Sequence, residues 1–290
     1  MTVELLETMT EAERSAASGA FAPTGPSPEP GNPAVHAAEL RGLAKKFGER
    51  QVWDGLDLDI RAGEALAIIG ANGTGKSTLL RALVRLTEVD AGSISLLGQP
   101  VRDLDRRGLR QLRSRVGFVF QRHNLVGRLS ALTNVVHGVQ SRASGPRTWL
   151  QSLARAEVRG EALGCLEAVG LADRALQQAQ SLSGGQSQRV AVARMLMQRP
   201  ELIIADEPDA SLDPVAGAEV MRLLFRIGRE RGATLVFVSH HMEHAVRFSD
   251  RIVGLRDGRV DLDTASTRVD VETLRAFFGP ESAASTGEKA

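Results

Sequence analysis

The sequence predicts an α/β fold in which a mainly parallel sheet is covered by helices. Apolar runs of strand length at 65–69, 201–206 and 234–239 are typical of strands buried on both faces. Segments with helical spacing of apolar residues lie between them, beginning at 77–86. Crossover helices that join parallel strands would produce this alternation. The length of 290 residues is ample for one large domain, which we place at residues 37–278.

Further segments are predicted to add strands and a helical insertion around the central sheet. Four of them have a strand-like pattern: 38–43, 56–60, 116–120 and 251–256. The last is followed by an Asp-Gly pair at 257–258 and another short apolar run at 259–262, which predicts a hairpin. From about 125 to 182 the patterns are helical and no strong strand interrupts them. We therefore predict a helical insertion there.

The two ends of the chain differ in composition from the rest. Residues 1–36 are acidic and rich in proline, and residues 279–290 are small and polar. Such composition is typical of disordered segments, so we predict a disordered N-terminal extension and a disordered C-terminal tail. Residues 1–14 could instead form a short amphipathic helix that binds a partner, although a simple tail or an over-long start site is the preferred interpretation.

Composition excludes several classes of protein. With 36 basic and 35 acidic residues the net charge is +1, which does not favour nucleic acid or anionic membrane as a partner of the whole chain. Cys165 stands alone among apolar neighbours, which excludes an internal disulfide and suits a buried helix face in a reducing compartment. No apolar stretch approaches the roughly 18 to 20 residues that cross a bilayer, and no signal-peptide pattern is visible. We expect a protein that stays inside the cell.

The most informative segment, here called the phosphate loop, is residues 70–78. It fits the pattern G-x-x-x-x-G-K-[ST], in which glycines let backbone N–H groups close around phosphates at the start of a helix. It joins a predicted strand to a predicted helix, as that role requires. We therefore expect a nucleoside triphosphate to contact its members, which are Gly70, Ala71, Asn72, Gly73, Thr74, Gly75, Lys76, Ser77 and Thr78.

Two carboxylates follow the apolar run at 202–205. Ligands bind at the carboxyl ends of parallel strands, so Asp206 and Glu207 should lie at the edge where the phosphates would sit. Mg²⁺ prefers oxygen ligands and keeps several waters, and Asp206 could hold it together with the Ser77 hydroxyl. Glu207 would then be free to orient and deprotonate the attacking water.

A second glycine-rich segment completes the pattern, and we call residues 182–186, Leu-Ser-Gly-Gly-Gln, the signature segment. With it, the order of motifs over 37–278 resembles the ATP-binding-cassette (ABC) ATPases. The resemblance implies a P-loop NTPase core of the RecA-like type with a mainly parallel sheet, an N-terminal antiparallel β subdomain and an inserted α-helical subdomain. It also implies hydrolysis of ATP with Mg²⁺.

The resemblance implies that the catalytic unit is a pair of chains. The signature segment of one protomer would complete the nucleotide site of the other through the side chain of Ser183 and the backbone at Gly185, with Gly184 and Gln186 beside them. Ser183 is suited to cap the helix that follows, so that free N–H groups face a γ-phosphate. Two nucleotides would be shared across a twofold interface. Asp213 resembles the interface aspartate that links one site to the other.

Three more residues carry over from the family one at a time. Gln121 resembles the glutamine that reaches the metal and the attacking water while contacting the membrane partner. His240 resembles the switch histidine that touches the γ-phosphate. His240 and His244 also have a spacing that could suit a metal on a helix, but no third ligand or His-Glu-x-x-His pattern accompanies them. Phe47 takes the place of an adenine-stacking aromatic residue, although it could equally belong to the core.

The finer resemblance is to the phosphonate importer ATPases, and residues 124–135 and 205–214 carry it. Trp149 is compatible with that subgroup. This resemblance implies a peripheral protein on the cytoplasmic face of the cell membrane, working as a homodimer with two membrane-spanning permease subunits and a substrate-binding protein. The cargo would be phosphonate or a related oxyanion such as phosphite or phosphate.

Other kinds of cassette remain as alternatives. An amino-acid importer or an exporter is the nearer one, and a non-transport ABC ATPase that acts on nucleic acid is the other. The latter would use a basic stretch that could contact DNA phosphates. Its members are Arg102, Arg106, Arg107, Arg110, Arg113 and Arg115. Interspersed aspartates and helical spacing favour a solvated face, so we expect no nucleic-acid partner.

Overall fold

The computed structural model describes residues 35–121, 123–142, 152 and 154–278. The predicted C-terminal tail and Trp149 lie outside the described residues. So does the predicted N-terminal extension, except for Val35 and His36. The strands are β1 His36–Phe47, β2 Arg50–Arg61, β3 Ala65–Gly70, β4 Ala91–Leu96, β5 Gln99–Pro100, β6 Val116–Val119, β7 Leu202–Asp206, β8 Thr234–Val238, β9 Arg251–Arg256 and β10 Arg259–Ala265. The helices are α1 Lys76–Leu83, α2 Arg106–Ser114, α3 Ala131–Val136, α4 Ala156–Ala168, α5 Gly184–Leu196, α6 Pro214–Arg231, α7 Met242–Phe248 and α8 Val271–Phe278.

A mainly parallel sheet forms the centre of the molecule, as predicted. Its six strands have the order β10-β9-β3-β8-β7-β6, and every neighbouring pair from β9 to β6 is parallel. Only β10 runs antiparallel, because the turn at Asp257 and Gly258 folds it back on β9. This hairpin confirms the expectation from the Asp-Gly pair, although β10 extends three residues further than its apolar segment.

A separate antiparallel sheet with the order β2-β1-β4-β5 covers one face of the parallel sheet. The segments expected to be short strands, 38–43 and 56–60, are parts of the long strands β1 and β2. The predicted strands were too short because their remaining residues do not alternate: exposed and half-buried residues are mixed with the adjacent buried residues Val52 and Trp53. Irregularities in the pairing of β1 with β2 interrupt the alternation further.

The central strands are buried on both faces because their side chains alternate between two cores. On β3, Leu66 and Ile68 pack toward the antiparallel sheet and α1, whereas Ala67 and Ile69 pack toward the helices on the other face. The same alternation holds on β7 and β8. Burial on both sides explains why these strands are continuous apolar runs in the sequence.

In the described part of the segment between β6 and α5, helices and turns joined by loops make up the structure. This part contains α3, α4 and short 3₁₀ turns, and its one strand-like contact is an isolated bridge between Ser130 and Gln178. Its helices α3 and α4 pack on α5 through the core beneath the second face of the sheet. In the described part of the chain no helix has both the length and the hydropathy needed to span a membrane.

Candidate functional site

Three parallel strands deliver the predicted functional residues to one edge of the central sheet. The phosphate loop follows β3, Glu207 follows β7, and His240 lies two residues after the end of β8. Because β7 and β8 pair in parallel and β8 pairs with β3, their carboxyl ends open on the same side. The strand order therefore brings together residues that are far apart in the sequence.

Glycines are required at the start of the phosphate loop and just before α1. Gly70 has φ +152°, and a Cβ there would lie 2.5 Å from the carbonyl oxygen of Leu255. Gly75 has φ +91° in the left-handed region, and a Cβ there would collide with Val52 and Trp53 of β2. Only glycine satisfies both the backbone conformation and the space at these positions. Both strand layers thus fix the curvature of the loop.

The loop leads into α1 without a side-chain cap. Gly75 occupies the N-cap position and makes no side-chain capping bond, which leaves the first N–H groups of α1 available to bind an anion. The Lys76 ammonium, 5% exposed, donates to the carbonyl oxygens of Gly70 and Ala71 at 2.7 and 2.9 Å. Burial lowers the pKa of Lys76, whereas Glu207 and Asp206 oppose that shift.

A cavity of about 280 Å³ opens over the loop. Several predicted contact residues line it together: Phe47, Asn72, Gly73, Gly75, Lys76, Ser77, Thr78 and Glu207. Phe47 is 53% exposed as a whole residue, so it belongs to this cavity rather than to the core. The Lys45 ammonium lies 5.2 Å from the centre of the Phe47 ring. Gly70 and Ala71 face the Lys76 ammonium, and the Thr74 hydroxyl donates to the Ala71 carbonyl at 2.9 Å.

Asp206 ends β7 as a buried carboxylate with spare bonding capacity. It is 3% exposed, and its Oδ1 atom has no hydrogen-bond partner among the described residues. Its Oδ2 atom lies 3.5 Å from Nη2 of Arg81. Burial raises the pKa of Asp206, and the Ser77 side chain works against that shift. A buried oxygen without a partner is costly and is suited to a cation.

Glu207 and His240 form a hydrogen-bonded pair beside the cavity. The distance from Oε1 of Glu207 to Nε2 of His240 is 2.7 Å. This bond holds the pKa of the Glu207 carboxyl below its usual range, against the effect of burial. Glu207 has φ +50°, which is uncommon for a residue other than glycine. The turn directs its carboxylate away from β7 toward the end of β8.

The signature segment begins α5, as predicted. The Ser183 hydroxyl accepts from the backbone N–H of Gln186 at 3.3 Å, and the Gln186 side chain accepts from the backbone N–H of Ser183 at 3.0 Å. This is a capping box. Gly184 and Gly185 pack near Leu212 and Ala216. The four predicted residues 183–186 do not line the cavity over the phosphate loop of their own chain.

Two remaining predicted residues also lie outside the lining of that cavity. Gln121 is exposed just beyond the end of β6. Asp213 is exposed and caps α6, where its carboxylate accepts from the N–H groups of Val215 and Ala216. The alternative of a metal between His240 and His244 gains no support: within the described ranges, no group of three His, Cys, Asp or Glu side chains could hold a metal ion.

Sequence reasoning missed several residues of the site. Arg50 and Val52, from β2, line the cavity, and Arg50 donates to the Gly73 carbonyl at 2.9 Å. Arg81 faces Asp206 from α1. Asp209 bonds to His244 behind the Glu207 and His240 pair. Each of these contacts joins separate elements, so no local motif marks them.

The phosphate loop, the buried carboxylate and the Glu207 and His240 pair agree with the comparisons to known proteins. The family model for the ABC transporter matches residues 53–210. The chain belongs to this family. As an ABC ATPase it binds ATP. A phosphonates import ATP-binding protein of Frankia casuarinae is 47% identical over 244 residues, covering 84% of this chain and 96% of that protein.

Other relatives support the same assignment. A phosphate-import ATP-binding protein of Mycolicibacterium smegmatis is 46% identical over 238 residues, which cover 82% of this chain and 90% of that protein. Among solved structures, a dimeric bacterial ABC transporter cassette matches with a TM-score of 0.70 and 35% identity over 79% of this chain and 98% of its own. A dimeric cassette in a post-hydrolysis state bound to ADP and Pi matches with a TM-score of 0.69 and 34% identity, with the same coverage. The predicted P-loop NTPase fold is thereby confirmed.

Proposed function

We propose that this ABC ATPase is the ATP-hydrolysing subunit of an importer for phosphonate or a related phosphorus oxyanion such as phosphite or phosphate. The observation that carries the proposal is the high identity, over nearly their full length, to relatives named for import of phosphonates and of phosphate. The cargo itself would be chosen by a binding protein and by membrane subunits. This chain supplies the energy of ATP hydrolysis.

In the proposed site, the phosphate loop and α1 bind the triphosphate. Backbone N–H groups of the loop and the uncapped start of α1 face the phosphates, and the Lys76 ammonium exchanges loop carbonyls for phosphate oxygens. Phe47 stacks on adenine, an interaction whose removal costs about 1 to 3 kcal/mol. Its exposure at the cavity supports that role.

The residues at the end of β7 fit Mg²⁺. Asp206 contributes a buried oxygen that lacks a protein partner, and Ser77 lies close enough to affect its pKa. Hard oxygen ligands of this kind are those that Mg²⁺ prefers. We propose that Ser77 and Asp206 hold the ion, with Gln121 approaching when the site closes. When bound, Mg²⁺ would neutralise charge on the β- and γ-phosphate oxygens.

Glu207 acts as the general base. Because its pKa is lowered, the carboxylate is ionised at neutral pH and can accept the proton of the attacking water. The water oxygen bonds to the γ-phosphorus while the bond to the ADP oxygen breaks. His240 donates to Glu207 at 2.7 Å and so orients the carboxylate, while its exposed ring reaches the γ-phosphate. The pair therefore positions the water and the phosphate together.

We propose that the signature segment serves a second copy of this chain. Ser183 and the backbone at Gly185 would contact the γ-phosphate bound by the partner, and Asp213 would connect the two sites across the interface. The separation of residues 183–186 from their own cavity supports this arrangement. Such a homodimer closes on two ATP molecules and reopens after hydrolysis, which moves two permease subunits at the cytoplasmic face of the membrane.

The test is to purify the complex from its own membranes and to measure its ATPase activity. The complex is assayed with the cognate binding protein loaded with methylphosphonate, phosphite, phosphate or an amino acid. We expect permease subunits to co-purify and a phosphorus oxyanion to stimulate turnover. Stimulation by an amino acid alone would overturn the proposal that the cargo is a phosphorus oxyanion. If the protein is recovered without permease subunits and DNA stimulates its ATP turnover, the proposal that it drives transport is overturned.

A further inference from the structure

A second hydrogen-bonded pair lies directly behind Glu207 and His240. Asp209 follows Glu207 by two residues and is 4% exposed. Its Oδ2 atom lies 2.6 Å from Nδ1 of His244, which is on α7. With the carboxylate oxygen as the acceptor, Nδ1 of His244 is the donor. The segments that follow β7 and β8 are therefore joined twice, once beside the cavity and once beneath it.

The same carboxylate also holds the residue that precedes His240. The Ser239 hydroxyl donates to Oδ2 of Asp209 at 3.3 Å, and it accepts from the backbone N–H of His241 at 3.0 Å. Ser239 is 2% exposed, so these bonds are shielded from water. Asp209 thus restrains the backbone on both sides of His240. The ring of His240 itself makes its bond to Glu207 at a partly exposed position.

The position of Asp209 is fixed by packing as well as by hydrogen bonds. Gly217 of α6 leaves just enough space for it, since a Cβ at that glycine would lie 3.2 Å from Cβ of Asp209. The imidazole of His244 packs near the rings of His241 and Phe248, with centroid distances of 5.1 and 5.6 Å. Two helices and two strand ends therefore meet at this pair. It is a rigid base for the more exposed pair in front of it.

We propose that Asp209 and His244 are positioning residues for ATP hydrolysis, because they hold His240 in the orientation that bonds to Glu207. Neither residue lines the cavity over the phosphate loop, so neither contributes to ATP binding. The inference rests on the proposed function, in which Glu207 is the base and His240 orients it. Loss of the buried pair leaves the nucleotide site intact but lets His240 move.

The test compares Asp209→Ala and His244→Gln with the unaltered protein in steady-state ATPase assays. Small displacements of a positioning group have large kinetic effects, so we expect kcat to fall about tenfold. We expect the KM for ATP to change less than about twofold, because ground-state binding is untouched. Asp209→Asn retains an acceptor oxygen for His244 and should recover part of kcat.

The decisive measurement repeats Asp209→Ala in a His240→Ala background. If Asp209 acts through His240, its loss should change the residual hydrolysis less than about twofold there, whereas the melting temperature should fall equally in both backgrounds. A tenfold loss of hydrolysis in both backgrounds would overturn the proposal. In the single variants, an unchanged kcat would also overturn it, and so would a KM for ATP that changes as much as kcat. If Asp209→Ala does not fold, His244→Gln takes its place.

Two controls accompany these variants. Glu243 lies on the same helix as His244 and pairs with Arg275 at the surface, so Glu243→Gln should leave kcat unchanged. Asp263 bonds to Arg251 at 2.6 Å far from the cavity, so Asp263→Asn should lower the melting temperature and leave kcat unchanged. Glu207→Gln is measured alongside. If it turns over normally, the proposed function fails, whatever Asp209 does.

Discussion

The phosphate loop and the signature segment are both glycine-rich starts of helices, yet they are built in opposite ways. At the phosphate loop, Gly75 has a positive φ and offers no side chain to the first turn of α1. At the signature segment, Ser183 and Gln186 cap α5 by reciprocal hydrogen bonds. The first helix start depends on a bound anion for its partners, and the second supplies partners from its own sequence.

Their surroundings differ in the same sense. The phosphate loop is enclosed by β2, by Leu255 and by the end of β7. The signature segment is exposed at Ser183 and Gly184 and half-buried elsewhere, and Leu212 and Ala216 are the close neighbours of its glycines. A single chain thus contains one nearly complete phosphate site and one helix start that can exist without a ligand. Such an asymmetry is what a site shared between two copies requires.

The largest effect is expected from removal of the general base Glu207, which should stop ATP turnover while ATP binding persists. For Glu207→Gln we expect turnover to fall about 10²- to 10⁴-fold, the usual contribution of a general base. ATP binding should persist because Lys76 and the loop are unchanged, and the dimer should be trapped. Size-exclusion chromatography with ATP and steady-state assays test this. Glu201→Gln, at the opposite end of β7, is the matched control, and normal turnover by Glu207→Gln would refute the assigned role.

Mixing two defective variants tests whether each nucleotide site is shared between two chains. Ser183→Ala should lower kcat about ten- to a hundredfold, since a hydrogen bond to a charged group contributes about 1.5 to 3 kcal/mol. Lys76→Ala should abolish binding at its own loop. A mixed dimer of the two variants keeps one site with an intact loop and an intact signature, so activity should partly return. If each chain contains its own complete site, mixing recovers nothing.

The rim of the loop cavity should make a smaller contribution. Phe47→Ala should weaken ATP binding about five- to tenfold, the lower end of the range for base stacking because Phe47 is half exposed, and Phe47→Trp should keep the affinity of the unaltered protein. Titration calorimetry with ATP measures the dissociation constant directly. Equal affinity of all three proteins would place adenine elsewhere, while the phosphate contacts would stand.

The smallest of these effects concerns the stability of the protein without Mg²⁺, and it arises at Asp206. Its folded-state pKa is raised by burial, so the ionised group destabilises the fold at neutral pH. Asp206→Asn should raise the melting temperature by about 2 °C at pH 7 without Mg²⁺. The gain should disappear as the pH falls below about 4, where the carboxyl is protonated in both states. A lower melting temperature at pH 7 would contradict this account.

The sequence predicted the parts of the fold that have local patterns. Apolar runs identified β3, β7 and β8 because burial on both faces leaves no polar positions, and the Asp-Gly pair identified the hairpin of β9 and β10. The sequence predicts β1 and β2 too short because their outer ends do not alternate between buried and exposed residues: Val52 and Trp53 are buried side by side, and the pairing of the two strands is irregular there. Without alternation, the periodicity that indicates a strand is lost.

The residues of the site also fall into those that a local motif predicts and those that only the fold brings together. Lys76, Ser77, Asp206 and Glu207 lie in or directly beside short motifs, so spacing alone placed them at one edge. The bond of Asp209 to His244 spans 35 positions, and Arg50 reaches the loop from another sheet. Their meeting depends on strand order and helix packing, which no local pattern encodes. The structure was needed to find them.

The burial of one sulfur atom also determines how the protein responds to thiol-reactive oxidants. Burial raises the pKa of the Cys165 thiol to about 12, so at neutral pH only about one molecule in 10⁵ carries the thiolate that peroxide or a disulfide would attack. The sequence contains no other cysteine. Thiol oxidation is therefore disfavoured in this chain, and its ATP turnover should not change with the thiol–disulfide balance of the surrounding solution.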